Sequence, residues 1–146
     1  MRVLLLEHET RSADARAALA GAELLLIVRL EEGLGGVWTE FEDGAEVIRL
    51  GFPKNSSHAF FRPLEPRRSG ETCASVALGR MVYGRRIGDV VCFEPALAPV
   101  VAHALKGHHV RCWFGAQPCG PEALGTVPGF SEPEAVLAAL AREIPA

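Results

Sequence analysis

The chain is poor in lysine, in tyrosine and in paired cysteines. Two lysines stand against thirteen arginines, and there is one tyrosine in 146 residues. Its four cysteines, Cys73, Cys92, Cys112 and Cys119, form no Cys-x-x-Cys unit. Their spacing fits neither a zinc site nor a dithiol redox pair, so no metal is expected. Long apolar runs are missing as well. Leu24 to Val28 is five residues, against the roughly 20 that span a bilayer. No basic stretch followed by an apolar segment opens the chain. The expectation is a cytoplasmic protein with no membrane partner. A pI near 6.0 lacks the basic footprint of a nucleic-acid binder, which disfavours that partner.

What is present is the composition of a globular domain, 49% apolar and 23% charged. At this length one α/β domain over residues 1–146 is expected. Charge is unevenly spread. Residues 1–52 carry five Arg against ten Asp/Glu, or −5; residues 53–88 carry seven Lys/Arg against two Glu, or +5; residues 89–146 carry three against six, or −3. Such segregation suits an anionic ligand, cofactor or partner, although a solvated basic rim looks the same in sequence.

Hydrophobic periodicity sets the order of elements. "MRVLLLEH" reads as a buried strand and "ADARAALAGA" as a helix ended by Gly21. "ELLLIVRLEEG" is a second strand. "VWTEFEDGAEVIRLGF" is a hairpin turning at Asp43-Gly44, its first arm half exposed. Residues 53–70, "PKNSSHAFFRPLEPRRSG", form an irregular basic segment with three prolines. "GETCASVALGRMVYG" is a helix with Thr72 as a candidate cap. "IGDVVCF", "EPALAPVVAHALKG" and "HHVRCWFGA" make a βαβ unit with parallel strands. Ser131 and Glu134 have the spacing of a capping box, which would start a last helix carrying Val136, Leu140 and Ile144. The expected fold is a mixed β-sheet flanked by helices, closing in a βαβα unit.

The stretch from Gly88 to Ala141, "GDVVCFEPALAPVVAHALKGHHVRCWFGAQPCGPEALGTVPGFSEPEAVLAALA", together with the order of elements before it, resembles the small accessory domains of nitrogenase cofactor assembly of the NifX/NafY type. The resemblance covers residues 70–141. It implies a ribonuclease-H-like fold and binding of an anionic iron–sulfur or iron–molybdenum cluster; the residues themselves leave the cofactor unknown.

Three readings of function follow. The preferred one is a binding or accessory protein for an anionic ligand, held by Arg62, Arg67 and Arg68 and by Ser69, Gly70 and Thr72 at a helix start. The second is a small enzyme. Cys73 lies near the same helix start, where the dipole and Arg67 and Arg68 would favour a thiolate, with His58 as its base. The third is a structural or homo-oligomerising subunit, using Trp38, Phe60 and Phe61. Cys92 and Cys112 sit in apolar runs as small hydrophobes. Glu7 and Glu9 are expected to be solvated strand-end residues without partners. His108 and His109 lack the spacing of a metal pair.

Overall fold

The computed structural model describes residues 1–7, 15–32, 37–42, 45–52, 69–94, 97–115, 117–121 and 132–144. It is an α/β fold built on one seven-stranded mixed sheet. The strands are β1 (Arg2–Glu7), β2 (Leu24–Glu32), β3 (Val37–Glu42), β4 (Ala45–Phe52), β5 (Asp89–Cys92), β6 (Arg111–Trp113) and β7 (Pro118–Cys119). The helices are α1 (Ala15–Ala18), α2 (Ser69–Gly84), α3 (Ala98–Ala104) and α4 (Pro133–Ala141).

The sheet order is β3-β4-β2-β1-β5-β6-β7. Five neighbours, β4-β2-β1-β5-β6, run parallel, while β3 and β7 are antiparallel edges. Parallel strands are buried on both faces, which explains the unbroken run Val3 to Leu6. Alternation sends Leu4, Leu6, Val90, Cys92, Cys112 and Phe114 to the face covered by α2 and α3. Val3, Leu5, Val91 and Trp113 go to the face covered by α1 and α4.

The βαβ reading of residues 87–116 holds: β5 and β6 pair in parallel across α3. Gly107 ends that connection in the left-handed region, with φ of 85°, where a side chain would be strained. The last helix buries Val136 and Leu140 and packs Ile144 against the core, in the expected register.

Several expectations are corrected. α1 is a single turn, because the bonds after Leu19 tighten to i→i−3 and the Glu23 amide hooks onto the Met1 carbonyl beside β1. Gly21 does not end a helix in the left-handed region. A Cβ there would lie 2.9 Å from Ile144 Cγ2, so the close approach of the C-terminal segment is what excludes a side chain. α2 begins at Ser69, which puts Thr72 inside the helix instead of at its cap. α4 is capped by Glu132 without any side-chain bond and has Pro133 in its first turn, so it starts one residue later than the expected capping box; Ser131 lies outside the described residues. β3 is not half buried: its residues are exposed on both faces up to Phe41. β7 was not foreseen, since two residues containing a proline carry no strand signal.

Candidate functional site

In an open parallel sheet, ligands bind outside the carboxyl ends of the strands, where the order of winding reverses. Here that reversal falls between β1 and β5. The connection after β1 leads to α1 on one face, and the connection after β5 leads to α3 on the other. The ends of β1 and β5 are therefore followed by helices on opposite faces, the arrangement that marks a switch point.

Two glutamates stand at these strand ends. "VLLLE" and "VVCFE" each put a carboxylate directly after an apolar run, and the register Leu6↔Cys92 brings both strand ends to one edge. Glu7 is only 2% exposed and Glu94 is also buried. Glu7 is not the solvated, unpartnered residue expected: Arg29, opposite it on β2, donates to it through Nε at 3.2 Å. Arg29 also reaches Glu42 at 2.8 Å, and Arg16 of α1 meets the same Glu42 oxygen at 3.0 Å. A chain of alternating charge thus ties β1, β2, β3 and α1 together. The sequence signal for it is charge at the carboxyl end of apolar strands, but only the register names the partner. Cys92 lies beneath. Burial pushes its thiol up to about 12, so it is inert, and the S–H donates to the Glu94 carbonyl at 3.5 Å.

A second corner opens at the same edge. β4 ends there at Phe52, and α2 begins there at Ser69. The far end of α2 lies at the opposite edge, where the Arg85 carbonyl accepts from Arg2 Nε at 2.6 Å and the Gly88 amide donates to the Arg2 carbonyl. Sixteen helical residues span about 24 Å, the depth of the sheet. The segment 53–68 joining the two holds Lys54, Arg62, Arg67 and Arg68 against Glu65, or +3. Two further arginines of the basic stretch, Arg85 and Arg86, do not belong to this corner. Arg85 pairs with Glu46 at 2.7 Å at the amino edge, and Arg86 follows it there.

His58, Arg62, Arg67 and Arg68 lie outside the described residues, as do Phe60 and Phe61. Ser69, Gly70 and Thr72 fall in the first turn of α2, and Cys73 is its fifth residue, one turn further in than a cap position. At the opposite, amino edge, an open cleft of about 370 Å³ is lined by Gly107, His108, His109, Val110, Arg111, Gly120 and Pro121. Arg111 is already committed there: its Nε meets Asp89 at 2.8 Å and its guanidinium lies 5.5 Å from the centre of the Trp113 ring. Among the described residues, no three His, Cys, Asp or Glu side chains gather as a metal site, and no helix is long and apolar enough to cross a membrane.

No family model matches the chain, and no curated protein matches it. Two solved structures are similar in outline. One is an α,α-trehalose-phosphate synthase (UDP-forming) from Burkholderia vietnamiensis, 13% identical, with 79% of this chain and 32% of that one aligned at a TM-score of 0.42. The other is an E. coli trehalose-6-phosphate structure bound with UDP-2-fluoro glucose, 13% identical, with 97% and 42% aligned at 0.46. The chain spans less than half the length of either.

Proposed function

We propose that this is a binding or accessory protein whose small anionic ligand docks at the corner between β4 and α2. The observation that carries the reading is directional: β4 ends and α2 begins at the carboxyl edge of the sheet, with a net +3 segment strung between them. The amino end of a long helix offers unpaired amides and the positive end of its dipole. The neighbouring β1–β5 edge is less suited to the anion, because its arginine, Arg29, is already engaged by Glu7 and Glu42. An anionic metal–sulfur cluster, as the NifX/NafY resemblance implies, would be held at this corner by charge. The proposed setting is the cytoplasm.

Amide chemical shifts followed during titration with inorganic pyrophosphate test this. Movement is expected at Phe52 and Ser69 to Thr72, and it should be lost in Arg67→Ala/Arg68→Ala. Movement confined to the Gly107–Arg111 cleft, or unaffected by the double substitution, overturns the reading.

The enzyme reading is supported by elimination among the thiols. Cys92 and Cys112 are buried, so any thiol chemistry belongs to Cys73 or Cys119. With limiting iodoacetamide, a nucleophilic Cys73 is alkylated well ahead of Cys119. Equal rates remove its support.

A further inference from the structure

We propose that the chain pairs with a second copy of itself through β3, edge to edge and antiparallel, about a twofold axis at Thr39. β3 is an edge strand six residues long, and it is solvent-exposed on both faces: Val37 is 57%, Trp38 54% and Phe41 76% exposed. Natural edge strands of this kind are blunted by proline, lysine, a bulge or a covering element, because they template further pairing. β3 has no proline or lysine, and it pairs with β4 in unbroken register from Val37↔Leu50 to Glu42↔Ala45.

The backbone is set for an outside partner. A two-residue connection between Glu42 and Ala45 makes them a hydrogen-bonded pair. The alternation of the ladder then turns the amides and carbonyls of Trp38, Glu40 and Glu42 toward β4, and those of Val37, Thr39 and Phe41 outward. Those three outward residues also share one face of the sheet.

Charge favours a copy of the same strand over another partner. The carboxylates of β3 are turned back into their own chain: Glu40 meets Arg49 at 3.0 Å, and Glu42 meets Arg29 at 2.8 Å and Arg16 at 3.0 Å. The strand so compensated offers no complement to a charged peptide, and two copies repel only where like carboxylates are set directly opposite one another. Register follows from the same logic. Centred on Thr39, the pairing sets Val37 against Phe41 of the second copy, Thr39 against Thr39 and Trp38 against Glu40. Centred one residue later, it sets Glu40 against Glu40, which like charge disfavours. A twofold interface of this kind is self-complementary.

Sedimentation equilibrium of the intact chain reads the outcome. A species of twice the 15.7 kDa chain mass is expected, dissociating at micromolar concentration as befits a small interface. Thr39→Pro removes an outward amide without touching the β3–β4 ladder, and it should give a monomer with an unchanged circular dichroism spectrum. Val37→Lys and Phe41→Glu should each dissociate the dimer. Together they should restore it, because opposite charges then face one another. A monomeric native chain, or a dimer indifferent to Thr39→Pro, overturns the interface. Failure of the double variant to recover overturns the register.

Discussion

The face of the sheet that carries α1 and α4 is built in two different ways. Over β1, β5 and β6 it is an ordinary core, with Val3, Leu5, Val91 and Trp113 packed beneath Leu19, Val136 and Leu140. That core continues over Ile27, Ala45 and Val47 of β2 and β4, but toward the carboxyl ends of these strands and along β3 the same alternation brings up Arg29, Glu31, Arg49, Glu40 and Glu42, woven into ion pairs: Arg49 reaches Glu31 at 2.7 Å and Glu40 at 3.0 Å, beside the Glu7–Arg29–Glu42–Arg16 chain. Among the described residues the weave, and not apolar packing, fills this part of the face. It also shows why charge counted along a sequence misleads. Of the ten carboxylates in residues 1–52, Glu7, Glu23, Glu31, Glu40, Glu42 and Glu46 each meet an arginine, and for Glu46 that arginine comes from the basic stretch. The −5 is a net count over a surface that is largely paired.

The two halves should fail differently. In the covered half, Asp89 is buried at the start of β5 and accepts from Trp113 Nε1 at 2.9 Å and Arg111 Nε at 2.8 Å. Arg111 can be rehydrated; the buried indole N–H cannot. Asp89→Ala is expected to cost roughly 3 kcal/mol, read from urea unfolding. Removing the most deeply buried carboxylate of the weave should cost less. After Glu7→Ala, Arg29 keeps Glu42 as a partner, so a loss of about 1–2 kcal/mol is expected from the same measurement. If Glu7→Ala proves the more damaging, the weave is core and not cover, and the contrast between the halves disappears.

The covered half was the legible one. Unbroken apolar runs announce buried parallel strands, and Gly107 announces the turn that follows α3, although the helix itself stops at Ala104, because burial and backbone conformation each act on a single residue. Partnership acts on two. Glu7 reads as a solvated strand end until register sets it opposite Arg29, and Trp113 shows no need of Asp89 until β5 and β6 are paired. The exposure of β3 was misjudged for the same reason. Alternation predicts that one face is buried, yet burial depends on a helix lying over it, and both of its faces are exposed. At the candidate corner the residue types and the helix start were legible. Its placement at the carboxyl edge was not, since that follows from which way β4 and α2 run.

The smallest effect is the one most particular to the weave. Loss of water around Glu42 raises its carboxyl pKa, but the charges and hydrogen bonds of Arg29 and then Arg16 outweigh that, and the net shift is downward from the ordinary 4.5. A carboxylate held below its unfolded value stabilises the fold fully above that value and gives the stabilisation up as pH falls through the folded one. The difference in urea midpoint between the native chain and Glu42→Gln should therefore be constant near neutrality and shrink from about pH 4.5 downward. Because the group is solvent-accessible, molar salt should shrink it as well. The covered half supplies the control. Asp89→Ala should respond less to salt, since Asp89 and the Trp113 indole are buried and only the exposed Arg111 is open to counter-ions; an equal salt response at both sites would mean that the two halves are electrostatically alike.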